Sequence, residues 1–303
     1  MGSICPKAAG ALPQLSVAAC ANMPHRSRYK RRVRIGVRTY NMPRRWGSVV
    51  KAKKLIHNAN RPKVSVIIPV MNERKTIRRV MARAAKIHPQ VEIIVVANGS
   101  TDGTARIARA AGARVLVYPK PLGHDVGRSI GAKAAKGDIL LFLDGDIPIA
   151  SADLIPFIKA VEDGVDVALN RYAGPVHRTQ VHSVILAKHA LNIAMGRSDL
   201  RGVSMTTVPH ALSRSALRTI GADILSVPPC AQVRAVANGL KVEAVHHVNV
   251  GSTNPRKRKR VNGKDPLEFL ILGDHAEAIH KLLTMKGPRA NRIDKIRRRE
   301  WLV

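Results

Sequence analysis

The sequence predicts an α/β fold in which helices cover both faces of a mostly parallel sheet, with basic tails at the two ends. Short apolar runs rich in β-branched residues alternate with segments of helical periodicity from residue 63 onward. Such alternation is typical of parallel sheets. The chain has 303 residues and is 45% hydrophobic but only 3% aromatic, so Val, Ile, Leu and Ala must build the core.

Strands and helices follow one another regularly in the first half of the chain. A buried strand over 64–69 precedes apolar residues at helical spacing from Ile77 to Ile87. The next predicted elements are strand 91–97, helix 102–111, strand 113–118, helix 125–136 and strand 139–143. In such a sheet, ligands lie beyond the carboxyl ends of the strands.

The second half is less regular. It is predicted to contain helix 151–161, strand 165–170, helix 178–195, strand 242–248 and an amphipathic helix over 266–286. We therefore divide the chain into three parts. They are a disordered basic N-terminal arm (1–60), a folded domain (61–265) with halves 61–150 and 151–265, and a C-terminal amphipathic helix with a basic tail (266–303).

The charge and the cysteines restrict the partners and the compartment. The net charge of +32 attracts anions such as nucleic acid, acidic lipid headgroups or phosphorylated substrates. The three cysteines have no metal-like spacing and their odd number argues against a disulfide framework. No apolar run reaches the ~18 residues of a membrane span. We expect a cytoplasmic protein, with peripheral contact at the inner membrane face as the alternative.

Polar clusters follow three of the predicted strands. They are Pro69-Val70-Met71-Asn72-Glu73, the run from Asn98 to Thr104, and Asp144-Gly145-Asp146. The two carboxylates of the last cluster would repel one another, and Mg²⁺ or Mn²⁺ would relieve the repulsion because both ions prefer oxygen ligands. Such an ion would also neutralise a diphosphate leaving group. An acidic turn with one helix cap is the other interpretation of this pair.

Residues 64–146 resemble the donor half of family 2 glycosyltransferases, which have the GT-A fold with its Rossmann-like sheet. In that family the second strand ends in Asp-Asp-Gly-Ser-Thr-Asp-Gly-Thr, and here it runs Ala97-Asn98-Gly99-Ser100-Thr101-Asp102-Gly103-Thr104. The family's Arg-Asn-x-Gly is matched by Arg128-Ser129-Ile130-Gly131. The resemblance implies an enzyme that moves a sugar from a nucleotide-diphosphate sugar to an acceptor. The halves 61–150 and 151–265 then become a donor half and an acceptor half.

The resemblance also implies roles for individual residues. The donor-binding residues would be Pro69, Glu73, Asn98, Ser100, Asp102, Arg128 and Asp144. Asp144 would lie near the ribose and the metal, Asp146 would ligate the metal, and both would be catalytic in this sense. Asn98 departs from the family, whose Asp reads the base, because an amide keeps one acceptor and adds donors.

The acceptor half departs further from the family. Its catalytic Asp aligns with Pro228, and residues 224–236 contain no carboxylate. Three explanations are open: the acceptor is already an anion, the reaction retains configuration, or Asp223 or His210 replaces the missing base. The net charge favours an anionic acceptor, such as a polyprenyl phosphate or a phosphorylated small acid. We expect His210 and Arg234 to bind it.

Two histidines, His246 and His247, lie at the end of the strand predicted over 242–248. Some retaining GT-A enzymes, including glucosyl-3-phosphoglycerate synthases, place a metal-binding histidine after the equivalent strand. The resemblance therefore implies that His247 joins Asp144 and Asp146 around Mg²⁺ or Mn²⁺. The alternative is a pair of strand-end histidines, His246 and His247, bonded to the backbone.

Two other classes of function fit parts of the sequence. The basic arm and the basic cluster at 256–260 suggest a nucleic-acid- or membrane-surface-binding protein on a degenerate transferase fold. Nucleic acid is not expected as a partner, because the aromatic residues that stack on single strands are scarce. A nucleotidyltransferase would carry a glycine-rich signature after the first strand, where Met71-Asn72-Glu73 stands instead.

Overall fold

The structure is a computed structural model that describes residues 54–175, 180–253, 265–295 and 297. Most of the predicted basic arm and the basic cluster at 256–260 lie outside the described residues. The predictions made for those segments therefore stay predictions.

The described residues form a seven-stranded sheet in the order β3-β2-β1-β4-β6-β5-β7. The strands are β1 (Val64–Val70), β2 (Val91–Asn98), β3 (Arg114–Tyr118), β4 (Ile139–Phe142), β5 (Val167–Asn170), β6 (His210–Ser213) and β7 (Val242–His246). Strand β6 runs antiparallel to β4 and to β5, and the other pairs are parallel. The predicted mostly parallel sheet is confirmed, but β6 was not anticipated, because its four residues include no alternating or continuous apolar pattern.

Helices cover both faces of this sheet, as predicted. They are α1 (Ile77–Ala84), α2 (Thr104–Ala111), α3 (Val126–Ala134), α4 (Ser151–Glu162), α5 (Ser183–Ala194), α6 (Arg214–Ile220), α7 (Pro228–Ala237), α8 (Val250–Thr253) and α9 (Pro266–Lys286). Helices α1, α2 and α4 share one apolar layer with the sheet, and α3, α6 and α7 share the other. Successive side chains of β1 alternate between the two layers, as in any strand buried on both faces.

The folded domain begins earlier than the sequence predicted. Ile56 is only 2% exposed and belongs to the apolar layer of α1 and α2. Leu55 and Ile56 both donate their backbone N–H groups to the carbonyl of Ala111. Asn58 bonds to the backbone of Ile93 in β2. The predicted arm boundary at residue 60 is therefore corrected, because the stretch from Leu55 onward is anchored to the domain.

The C-terminal helix is part of the same domain. Helix α9 packs against α5 and α7, and it buries Ala278 and Leu282 beside Leu191 and Val233. The predicted helix over 266–286 is thus confirmed, and one of its faces covers the acceptor half. Within the described part of the chain, no helix is both long and apolar enough to cross a membrane.

Candidate active site

The sheet brings the three polar clusters to one edge. Strands β2, β1 and β4 are parallel neighbours, so the loops that follow them leave the sheet side by side. The expected common placement of the clusters beyond the carboxyl ends of the strands is confirmed. The ligand-binding edge of a parallel sheet lies in this position.

Hydrogen bonds join the loop after β1 to the loop after β2. Asn72 adopts a left-handed conformation with φ of 60°, and its Oδ1 accepts from the backbone N–H of Thr101 at 2.8 Å. The Ser100 hydroxyl accepts from the N–H of Asn72 at 3.2 Å and lies 3.3 Å from the carbonyl of Val70, to which it donates. Ser100 therefore ties the loop after β2 to the loop after β1. We call the ends of β1, β2 and β4, with the loops that follow them, the donor edge.

Asp102 is the second brace between these loops. Its carboxylate accepts from the backbone N–H of Arg74 at 3.0 Å and from that of Thr104 at 2.9 Å, where it caps the start of α2. Burial by itself would raise the pKa of Asp102, but the hydrogen bonds from Thr104 and Arg74 outweigh it and lower that pKa. The carboxylate is thus ionised at neutral pH and holds both loops.

The amide of Asn98 explains why the family's aspartate is absent. Asn98 is 9% exposed at the end of β2. Its Oδ1 accepts from the N–H of Leu122 at 2.7 Å, while its Nδ2 donates to the carbonyl of Gly123 at 2.9 Å. A carboxylate can accept the first bond but cannot donate the second. Asn98 therefore fastens the loop before α3 to the sheet edge.

We expect Asn98→Asp to lower the free energy of unfolding by about 1–3 kcal/mol, because two acceptors would then face each other at Gly123. Denaturant unfolding measures the change. Asn238→Asp is the matched control, since the Asn238 side chain also donates to a carbonyl but on an exposed surface. If Asn98→Asp is as stable as the unmodified chain, the amide does not hold the loop.

A buried arginine joins the donor edge to the acceptor half. Arg128 of α3 is 3% exposed. Its Nε lies 3.2 Å from the Asp125 carboxylate and its Nη2 lies 3.4 Å from Oδ1 of Asp144. Its Nη1 donates to the carbonyl of Met205 at 3.2 Å. The planar guanidinium thus orients Asp144 and fixes the loop that contains Met205.

The Asp144-Gly145-Asp146 turn is pressed onto the end of β1. A Cβ atom on Gly145 would lie 2.4 Å from Cγ1 of Val70, so only glycine fits between the two aspartates. The Asp144 side chain is 36% exposed, and Asp146 is half-buried. Carboxylate oxygens at an accessible strand end suit Mg²⁺ or Mn²⁺ chemically.

The structure does not bring the predicted third ligand to this turn. In the described ranges, no three His, Cys, Asp or Glu side chains are grouped so that they could hold a metal ion. His247 is exposed, and its ring centroid lies 5.9 Å from that of Tyr172. Its neighbour His246 places Nε2 3.2 Å from Oδ1 of Asp153. The aspartate pair fits a divalent ion, and ligation by His247 stays a prediction.

A buried polar network fixes the loop over 201–209, which we call the acceptor loop. The N–H of Met205 donates to Oε1 of Gln232 at 2.9 Å, and Nε2 of Gln232 donates to Oδ1 of Asn192 at 2.8 Å. Asn192 in turn donates to the carbonyls of Arg201 and Val203. Sequence reasoning missed both amides, because isolated polar residues in helices form no motif.

His210 lies beneath the acceptor loop. It is 1% exposed, its ring stacks on Phe142 with centroids 4.9 Å apart, and its Nδ1 is 3.2 Å from the carbonyl of Thr207. Burial, reinforced by the charge of Arg128, lowers the pKa of His210 to about 3. A neutral, buried His210 thus supports the loop from below, and its contact with an acceptor stays a prediction.

The position aligned with the family's catalytic base, one candidate to replace that base and the predicted acceptor ligand Arg234 all make structural contacts. Pro228 is buried in the first turn of α7, and the Asp223 side chain is 86% exposed and paired with Lys133 on α3. Arg234, predicted to bind the acceptor, donates from Nη1 to the carbonyl of Ile220 at 2.9 Å and holds the end of α6. Its role in acceptor binding stays a prediction.

Comparison with known proteins identifies the family that the sequence motifs resemble. The sequence model described as glycosyl transferase family 2 matches residues 65–221. Glycosyltransferase AglE of Haloferax volcanii is 40% identical over 93 residues, which make up 28% of this chain and 31% of that protein. The undecaprenyl-phosphate 4-deoxy-4-formamido-L-arabinose transferase of Pseudomonas savastanoi pv. phaseolicola is 29% identical over 169 residues, 52% of this chain and 48% of that protein.

Among solved structures, the chain resembles glucosyl-3-phosphoglycerate synthase of Mycobacterium tuberculosis in complex with Mn²⁺, UDP-glucose and glycerol 3-phosphate. The sequence identity is 25%, the TM-score is 0.52, and the match covers 77% of this chain and 82% of that one. The GT-A fold predicted from the sequence is thereby confirmed. The chain spans less than half the length of the curated relatives just named.

Proposed function

The chain belongs to glycosyl transferase family 2, and on that basis we propose that it transfers a sugar from a nucleotide-diphosphate sugar to an anionic acceptor with a divalent cation. The observation that carries the proposal is the position of Arg128. This buried guanidinium contacts Asp144 on the donor side and the acceptor loop on the other. A transfer reaction needs two ligands at adjoining sites, and Arg128 joins the two halves where they meet.

Donor binding is supported by the geometry of the sheet edge. The loops carrying Glu73, Asn98 and Asp102 are braced to each other and stand beside the turn of Asp144 and Asp146. We propose that the two aspartates hold Mg²⁺ or Mn²⁺, with His247 as a further ligand. When bound, such an ion would neutralise the charge of a nucleoside diphosphate leaving group. The likeness to a synthase solved with Mn²⁺ and UDP-glucose supports this choice.

An anionic acceptor is supported by the missing base. Residues 224–236 contain no carboxylate, Asp223 is exposed and paired with Lys133, and His210 is buried. A phosphate oxygen can attack without prior deprotonation. It therefore does not require the ~10²–10⁴-fold rate enhancement that a general base supplies. One relative is named for undecaprenyl phosphate, and the solved synthase is in complex with glycerol 3-phosphate. We propose a phosphorylated acceptor, presented at a membrane surface if it is a polyprenyl phosphate.

The test is release of nucleoside diphosphate from a panel of nucleotide sugars by the full chain, with Mn²⁺ or Mg²⁺. Each donor is combined with glycerol 3-phosphate in solution, with undecaprenyl phosphate in vesicles, or with an uncharged sugar. We expect diphosphate release that depends on one of the phosphorylated acceptors. Efficient transfer to the uncharged sugar would overturn the anionic acceptor. Pyrophosphate release would indicate a nucleotidyltransferase. Release of neither product, together with tight RNA binding, would indicate a nucleic-acid-binding protein.

A further inference from the structure

Lys188 is a half-buried cation that is not among the residues proposed above to bind the donor or the metal. It stands on α5, and its Nζ donates to Oγ1 of Thr207 in the acceptor loop at 2.9 Å. No carboxylate of the described residues forms an ion pair with it. Charged groups removed from water are normally paired, since an unpaired charge in a low-dielectric interior is costly. Among the described residues, the ammonium of Lys188 therefore has no counter-ion.

The ionisable groups around Lys188 do not neutralise its charge. Burial first, and then the positive charge of Arg128, lower the pKa of Lys188 to about 8. Arg128 itself is already paired with Asp125 and Asp144. His275 of α9 is 1% exposed, and burial lowers its pKa, with the charge of Lys188 adding to the effect. The histidine is thus neutral and offers no negative charge.

The acceptor loop connects Lys188 to the donor edge. Thr207, which Lys188 contacts, is two residues from Met205, whose carbonyl accepts from Arg128. Arg128 also contacts Asp144. Successive contacts therefore connect Lys188, the acceptor loop, Arg128 and the turn predicted to bind the metal. The loop is held from behind by Gln232 and Asn192. Lys188 therefore contacts a loop that hydrogen bonds hold in place next to the donor edge.

We propose that Lys188, together with the hydroxyl of Thr207, binds the phosphate or carboxylate of the acceptor. This inference rests on the proposed function and names the group that recognises its substrate. A bound anion supplies the missing counter-ion, and hydrogen bonds between an ammonium and an oxyanion are the stronger, charge-assisted kind. The sequence predicted acceptor binding by His210 and Arg234, and the contacts of Lys188 add it to the candidates for that role.

The first test is calorimetric titration of the full chain with inorganic phosphate and with glycerol 3-phosphate, in the presence of Mn²⁺ and UDP. Lys188→Met should weaken binding of both by about 10–100-fold, the loss expected for one hydrogen bond to a charged group. Lys159→Met is the matched control, because Lys159 is exposed on the outer face of α4. Its affinity for both anions should be unchanged, and all variants should melt at similar temperatures.

The second test uses pH. In the unmodified chain, affinity for inorganic phosphate should fall as the pH rises through about 8, because only the protonated lysine is a cation. Lys188→Arg keeps its charge throughout this range, so the decline should disappear. A decline that persists in Lys188→Arg would assign the titration to another group and overturn the inference.

The outcomes distinguish the inference from the proposed function. Equal affinity for inorganic phosphate in Lys188→Met and the unmodified chain overturns the role of Lys188, even if sugar transfer is observed. Weaker phosphate binding in Lys188→Met with unchanged binding of UDP supports it. Absence of sugar transfer from every donor in the unmodified chain overturns the proposed function, while the phosphate titration still decides whether Lys188 binds an anion.

Discussion

Asp146→Ala should lower the turnover of sugar transfer by about a hundredfold or more, since loss of metal ligation removes several kcal/mol of transition-state stabilisation. Asp146 follows Gly145, which is pressed against Val70, so the backbone holds the carboxylate at the carboxyl end of β4. The measurement is the initial rate of nucleoside diphosphate release at saturating donor, with Mn²⁺ titrated.

The control for Asp146→Ala is Asp163→Ala, which removes a carboxylate at the exposed end of α4. It should keep full activity, and EDTA should abolish the activity of the unmodified chain. A ligand mutant should also require more Mn²⁺ for half-maximal rate. Unchanged turnover in Asp146→Ala, or full activity in EDTA, would contradict metal-dependent transfer through this turn.

Arg128→Met should destabilise the domain by about 3–5 kcal/mol, which is the cost of removing one partner from a buried ion pair. The Arg128 side chain is 4% exposed, and its loss would leave the 9% exposed Asp125 carboxylate without its cation. It would also remove the hydrogen bond to the carbonyl of Met205 and the contact that orients Asp144. We therefore expect lower stability and a large loss of activity in the same variant.

Equilibrium unfolding in urea measures the first effect, and the initial rate of nucleoside diphosphate release measures the second. Arg109→Met removes an exposed arginine from the last turn of α2 and should change neither quantity by much. Arg128→Lys keeps the charge but lacks the planar fork that reaches three partners, so it should restore only part of the stability. If Arg128→Met unfolds at the same urea concentration as the unmodified chain, the guanidinium does not link the two halves.

The donor half was predictable from the sequence because its signals are local. The apolar run at 64–69 and the helical spacing after Ile77 correspond to β1 and α1 within a few residues. Parallel strands of one sheet end at the same edge, so the sequence also predicted that Asn98 and Asp144 share that edge.

The same signals failed where burial depends on distant parts of the chain. Ile56 stands among basic residues, and only its packing beneath α2 shows that it belongs to the core. His210 reads as a polar site residue, but its place opposite Phe142 in the β4–β6 ladder buries it. In both cases the deciding contact joins segments far apart in sequence, which periodicity does not record.

Residue types at short, fixed spacing were enough to predict the family, the parallel strands of the donor half and the acidic turn of Asp144 and Asp146. The contacts of three other residues depend on the three-dimensional fold: Asn98 fastens a loop, Arg128 spans both halves, and Lys188 lies against Thr207 with no carboxylate of the described residues paired to it. These are properties of charge and hydrogen bonding in three dimensions. A lysine in a helix looks the same in sequence whether water or a buried loop surrounds its ammonium group, and its affinity for an anion depends on that difference.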